Sequence, residues 1–288
     1  MSHDLAHTAP SDGHGRPTAG TAPDDDDSLG REEEFHDRWA ESVDPAGVLV
    51  AESFSLPSCP ENRFIADTLG DVRGLTVLEL GAGLGEASAW FASRGARVIA
   101  TDLSRGMLQV TQGVAALHGS SLAAVQMDGA VIALGDASVD VVYGANVLHH
   151  VNTEQCLREV HRVLKPGGRA AFWDPVQYNP AINAYRRMAG QVRSADEHPL
   201  GRADLRVMRS LFASVHARFF WLATLAVFLK YYFIDQVHPN EERYWKKVIT
   251  DYAGIRSWYA PLAAVDAVLL RIPGLRWLSW NLAVVVRK

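Results

Sequence analysis

Hydrophobic and polar positions along the chain follow two regimes. Between residues 76 and 175, short apolar runs alternate with segments whose apolar residues recur every three or four positions. The runs at 76–80, 96–101, 122–127, 139–145 and 169–173 have the length and bounding residues of buried strands. Between them, 86–94 places Ala87, Trp90 and Phe91 on one helical face. The segment 104–117 does the same with Met107, Leu108, Val114 and Leu117, and 153–164 with Leu157, Val160 and Leu164. Lys165-Pro-Gly-Gly168 predicts a hard turn before the fifth strand. Short buried strands separated by helices predict a parallel, doubly wound α/β sheet.

The flanks are less regular. Phe35 and Trp39 stand four apart behind the acids Glu32, Glu33 and Glu34, which suits a short amphipathic helix. A second helix is predicted over 61–69, closed by Gly70. Beyond Pro175 the alternation stops. Residues 180–210 read as polar helix, 215–222 as a sixth strand and 281–287 as a seventh. A hairpin needs only a few connecting residues. The long aromatic-rich stretch at about 223–278 therefore reads as a helical insertion before the last strand, forming a lid or a surface-binding element.

Composition narrows the class. The chain has 288 residues, 48% hydrophobic, with a net charge of −5. Residues 1–30 are acidic and without periodicity, so a disordered tail is expected there and an ordered domain over 31–288. The region 201–288 carries thirteen bases against six acids. Its bland reading is an ordinary basic surface; the sharper one is contact with an anionic surface or substrate. No compact basic cluster or recognition motif points to nucleic acid. Cys59 and Cys156 have no pairing motif, which fits a reducing, cytoplasmic setting. No apolar run is long and clean enough to span a membrane. No His, Cys, Asp or Glu set has metal-ligand spacing, so no metal is expected.

The chemistry concentrates at Glu79-Leu-Gly81-Ala-Gly83-Leu-Gly85, between a predicted strand and a predicted helix. Glycines there let backbone N–H groups approach a ligand. Asp102 ends the next strand, where a carboxylate can accept ribose hydroxyls. Glu79 would repel a pyrophosphate, which disfavours a nicotinamide site, but suits a cationic amino-acid group. Asp128-Gly129 follows the third strand, where an acid can accept an adenine amino group or simply cap a turn.

Together these segments resemble the class I S-adenosylmethionine-dependent methyltransferases, in the type-11 small-molecule group, from about residue 76 to 175. The resemblance implies a Rossmann-like, seven-stranded sheet whose last strand is antiparallel. It implies S-adenosylmethionine bound by Glu79, Gly81, Ala82, Gly83, Gly85, Asp102, Leu103, Met107, Asp128 and Gly129, with Asn146 and Val147 along its methionine end. N-terminal helices over 31–70, carrying Phe35 and Trp39, would cover the cofactor.

His149 and His150 end the fourth predicted strand, at the edge where ligands bind in open α/β sheets, and Asp174 ends the fifth. In a continuing strand only one histidine would face the substrate. The resemblance implies a His–Asp pair acting as base; otherwise one histidine packs on the cofactor and Asp174 belongs to a turn. Tyr178 and His198 are secondary candidates for substrate contact, and His161 reads as a helix-surface residue. The expected activity is methyl transfer to a small, apolar or lipid-linked acceptor, on oxygen with a His base. C- or N-methylation of a lipid or quinone-like acceptor is the alternative, and a non-catalytic cofactor-binding scaffold the alternative of another class. The aromatic C-terminal third also fits peripheral membrane contact.

Overall fold

The computed structural model describes residues 25–188 and 197–288. Residues 1–24, which hold most of the expected acidic tail, and 189–196 lie outside the described residues. The first helix starts earlier than the periodicity predicts, at Asp25 (α1, Asp25–Ala40), so the expected disorder is corrected over 25–30.

Seven strands form one sheet: β1 (Thr76–Leu80), β2 (Arg97–Asp102), β3 (Ala123–Gln126), β4 (Val139–Ala145), β5 (Leu164–Pro175), β6 (Ser214–Phe220) and β7 (Asn281–Arg287). Their order is β3-β2-β1-β4-β5-β7-β6. β1 to β5 run parallel, and β7 lies antiparallel between β5 and β6. The order reverses between β1 and β4, which opens a crevice at their carboxyl ends.

Successive strand residues point to opposite faces. Val77, Val141 and Ala171 join one core cluster while their neighbours Leu78, Val142 and Phe172 join the other. The first cluster is covered by α4 (Glu86–Ser93) through Trp90 and Phe91, and by α5 (Arg105–Leu117) through Met107 and Val114. The second is covered by α6 (Thr153–Val163) through Leu157 and Val160, and by a helix at Arg202–Leu211 through Leu205 and Met208.

The Lys165-Pro-Gly-Gly168 turn forms inside β5 rather than before it. The register against β4 jumps between Val139 and Val141, and Gly167 takes φ +76°. Lys165 Nζ donates to both oxygens of Asp140 at 2.8 Å, which ties this bulge to β4.

The stretch between β6 and β7 folds into short helices and one long one, Tyr252–Leu269. Most of its aromatic residues are core: Trp221, Phe228, Tyr231, Tyr244, Tyr259 and Trp280 all belong to the first cluster. Leu229, Phe233 and Ile234 stay exposed at its rim. Among the described residues no helix is long and apolar enough to cross a membrane. One buried carboxylate anchors the long helix. Asp266 accepts from the backbone N–H of Leu222 at 3.1 Å, Ala223 at 2.5 Å and Thr224 at 3.2 Å, and from the Thr224 hydroxyl at 2.6 Å. Asp266→Ala strands those buried donors, at a cost of roughly 2–4 kcal/mol. A melting temperature lowered by several degrees in calorimetry is the expected result, and an unchanged one would contradict the anchor.

Candidate functional site

A cavity of about 310 Å³ opens at the carboxyl ends of β1, β2, β4 and β5, at the lower end of small-molecule sites. α1 covers one side. A helix at Pro60–Leu69 (α3) and the insertion helix at Tyr244–Thr250 close the others.

The β1–α4 turn is held to the end of β2. The Ala82 N–H donates to the Thr101 carbonyl at 2.8 Å, and the Gly83 N–H to Asp102 Oδ2 at 2.8 Å. Thr101 Oγ1 donates to the Glu79 carbonyl at 2.7 Å. A side chain on Gly83 would meet nothing, so the backbone there faces open space. Gly85 has φ +84°, and a Cβ would lie 2.7 Å from the Thr111 Cα. Its role is the turn and close helix packing.

Of the residues predicted to hold a cofactor, Phe35, Trp39, Glu79, Gly81, Ala82, Gly83, Asp102, Leu103, Asp128, Gly129, Asn146 and Val147 line this one cavity. Gly85 and Met107 do not. Met107 is fully buried on α5, where the helical face that looked ligand-directed packs into the core. Asp128 lines the cavity, and its Oδ1 accepts from the Ala130 N–H at 2.8 Å, the contact of a turn-capping residue.

Glu79 is buried, and burial pushes its carboxyl up to about 8 against the hydrogen bond donated by Ser88. Asp102 is also raised by burial, opposed by the Gly83 and Ser104 N–H groups.

β4 ends at Ala145, and His149 and His150 lie beyond it in a turn. The strand alternation expected to separate them therefore does not apply, and both line the cavity. Their rings are 4.1 Å apart. His149 Nδ1 is 2.8 Å from Asp174 Oδ1, which also accepts the His149 backbone N–H at 3.2 Å. Asp174 is fully buried, and that burial raises its carboxyl well above the usual range. His150 Nδ1 is 3.2 Å from Glu32 on α1, whose same oxygen lies 2.9 Å from His36 Nε2. No metal-ligand spacing is visible in the sequence, yet the fold brings ligand atoms of His149, His150 and Glu197 within 4.8 Å of one another. Tyr178 packs on Trp277, and its hydroxyl accepts the Arg202 N–H. The His198 N–H donates to the His149 carbonyl at 2.7 Å. His161 packs edge-on against Phe212.

Sequence reasoning missed several wall residues. Glu61 on α3 is buried and accepts from Asn281 Nδ2 at 2.7 Å, at the start of β7. Burial pushes its carboxyl up to about 7, opposed by that hydrogen bond. Arg243 and Lys246 come from the insertion and lie 3.9 and 4.6 Å from the Trp39 ring centre. The only signal for them was a pair of basic residues beside Tyr244 and Trp245.

Residues 78–172 match the type-11 family described as a methyltransferase domain. A malonyl-[acyl-carrier protein] O-methyltransferase of Pseudescherichia vulneris is 34% identical over 47% of this chain and 49% of its own length. A demethylmenaquinone methyltransferase of Clavibacter sepedonicus is 41% identical over 34% of this chain and 40% of its own. The chain thus spans about half the length, or less, of these curated relatives. In fold, it resembles the methyltransferase solved in complex with the Haloferax volcanii Trm112 activator. The TM-score there is 0.55, at 20% identity, over 88% of this chain and 97% of that one.

Glu61 makes a testable demand on stability. Its folded value of about 7 exceeds the ordinary 4.5, so its contribution is full below pH 4.5 and is lost as pH rises through 7. Glu61→Gln keeps an acceptor for Asn281 and removes the ionisation. It is expected to raise stability at pH 8 by up to roughly 3 kcal/mol and to change little at pH 4.5. Equal shifts in calorimetry at the two pH values would contradict this account.

Proposed function

The chain carries a methyltransferase domain at residues 78–172 on a class I fold, and on that premise we propose that it transfers a methyl group from S-adenosylmethionine to the oxygen of a small, apolar acceptor. One observation carries the reading: Glu79, Gly83 and Asp102 line the same cavity as His149, whose imidazole is joined to Asp174.

The residues fit this cofactor. Glu79 is a buried carboxyl whose hydrogen-bond partner is Ser88, and among the described residues it forms no ion pair. A ligand ammonium is the cation it lacks. Asp102 would accept the ribose hydroxyls, Asp128 the adenine amino group, and the N–H-bearing turn at Gly81, Ala82 and Gly83 would lie under the ligand. Leu103, Gly129, Asn146 and Val147 would flank it, with Phe35 and Trp39 above. Over residues 31–70 the N-terminal helices then act as a cover within a domain reaching residue 288.

When bound, S-adenosylmethionine supplies an electrophilic methyl group on a sulfonium. His149 would donate Nδ1–H to Asp174, the tautomer in which Nε2 is the basic nitrogen. His149 Nε2 would take up the acceptor's hydroxyl proton while the methyl carbon exchanges its bond to sulfur, whose electron pair stays on the thioether, for a bond to the acceptor oxygen. Asp174 stabilises the resulting imidazolium. His150 is the second candidate base; its link to Glu32 also ties α1 over the site.

The exposed Leu229, Phe233 and Ile234 support an acceptor carried on, or dissolved in, a lipid surface. Activity that survives replacement of both His149 and His150 would favour the alternative, C- or N-methylation of a lipid or quinone-like acceptor. The convergence of His149, His150 and Glu197 favours a further reading, a metal-held acceptor. The base reading expects activity to survive EDTA; loss restored by a divalent cation would favour the metal.

Removing a general base typically costs ~10²–10⁴-fold in rate. With the best acceptor from a panel of phenols and hydroxyquinones, His149→Ala and Asp174→Asn are each expected to lower kcat by about that factor. Calorimetric affinity for S-adenosylmethionine should stay within about threefold, since neither residue is assigned to the cofactor. Undiminished turnover in both variants would sink the base assignment, and absence of binding by the unaltered chain would sink the whole reading. Glu79 adds a pH signature. It is mostly protonated below its value of about 8, and a bound ammonium would draw the proton off. Affinity is therefore expected to rise from pH 6 to 8, with proton release visible as a buffer-dependent binding enthalpy.

A further inference from the structure

Two cations reach the cavity from the Tyr244–Thr250 helix and its cap, and among the described residues neither has a counter-ion. Arg243 and Lys246 both line the cavity and both are half-buried. Both lie against the Trp39 ring, and Lys246 is also 5.1 Å from the Trp245 ring centre. Among the described residues neither takes part in an ion pair. Neighbouring lysines of the insertion behave differently: Lys230 pairs with Asp235 and Lys247 with Glu242, each at 2.7 Å.

An aromatic face attracts a cation but leaves most of its N–H donors without an acceptor. A positive charge held partly out of water is costly unless something negative faces it. Burial drags Lys246 down to about 8, with Glu86 opposing and Arg243 adding to the effect. Burial lowers Arg243 as well. Glu86 acts on Lys246 only from beyond ion-pair distance. Two like charges thus share one wall, and among the described residues neither has an ion-pair partner.

We propose that Arg243 and Lys246, arrayed on Trp39, form a carboxylate-recognition site in this cavity. The ligand it takes is a small carboxylate borne on an otherwise apolar or aromatic body, since Trp39, Trp221, Trp245 and Trp280 line the surrounding wall. Two sources share that chemistry: the amino-acid carboxylate of the cofactor and an acid group on the acceptor. The first source rests on the cofactor reading above, and the second does not.

Calorimetry on the full chain separates them. S-adenosylhomocysteine carries the amino-acid carboxylate, and 5′-methylthioadenosine lacks it. 4-Phenylbutyrate is an apolar carboxylate, and 4-phenylbutanamide is its neutral counterpart. Lys246→Met and Arg243→Gln keep much of the side-chain bulk and remove the charge; Lys246→Gln repeats the test should the methionine variant not fold. If the cofactor's acid is held here, the variants bind S-adenosylhomocysteine at least tenfold more weakly and methylthioadenosine unchanged. If the acceptor's acid is held here, S-adenosylhomocysteine is unaffected. The unaltered chain then prefers phenylbutyrate to its amide, and the variants lose that preference. Restoring charge with Lys246→Arg should recover whichever affinity was lost.

The proposal is overturned if the variants bind every probe within twofold of the unaltered chain. It is also overturned if methylthioadenosine weakens in step with S-adenosylhomocysteine, because the cations would then only brace the lid. An unaltered chain that binds no S-adenosylhomocysteine counts against the cofactor reading instead, and the phenylbutyrate pair then decides the anion site alone.

Discussion

The site depends above all on the Asp102 carboxylate, which accepts the Gly83 N–H at 2.8 Å and the Ser104 N–H at 2.9 Å. A buried carboxylate is costly unless charge-assisted hydrogen bonds offset it. Here the donors are backbone groups of the two loops that must meet. The glycine turn is thereby fixed to the end of β2 and the start of α5 to both. Ser104 then caps α5 through the Met107 N–H at 3.0 Å and donates to Asp37 of α1 at 2.5 Å. One carboxylate thus sets the position of a turn, a helix start and, through Ser104, the covering helix.

The cavity is closed by parts that are distant in sequence. α1 is bound to the start of α5 by Asp37 and to the turn beyond β4 by Glu32. The insertion meets it from the other side, where Arg243 and Lys246 lie against Trp39. The lid contact is therefore cationic and aromatic on the side facing the cavity, while the carboxyls of Glu79 and Glu61 sit buried in its walls. A ligand with an ammonium at one end and an acid at the other would find complementary charge in both places.

Legibility in the sequence followed the range of the interactions involved. The strands at Thr76–Leu80, Val139–Ala145 and Asn281–Arg287 could be read because burial on both faces leaves mostly apolar runs, in which Glu79 and Asp140 are the charged exceptions before the final Arg287. Glu79, Gly83 and Asp102 could be read because a strand, a tight turn and the next strand end constrain one another locally. Met107 was misread because residues on the inner face of α5 look alike whether they meet a ligand or the core. Glu61 was missed because a charged residue on a short amphipathic helix normally faces water, and its partner Asn281 lies 220 residues away. Arg243 and Lys246 were hidden for the same reason: only the packing of the insertion against α1 turns ordinary surface charges into cavity charges. Most of the aromatic puzzle resolved as core, and the exposed remainder has no local marker to tell it apart.

β6 touches the sheet only through β7, and β7 enters between β5 and β6. β6 cannot join the sheet before β7, and the pairing of β7 with β5 spans a long stretch of chain. Closing loops of that size is the slow kind of assembly. Asn281 and Trp280, which help wall the cavity, belong to the same late step. The glycine-turn half of the crevice is thus built from sequence-local pieces, while the opposite wall waits on the least local pairing in the molecule.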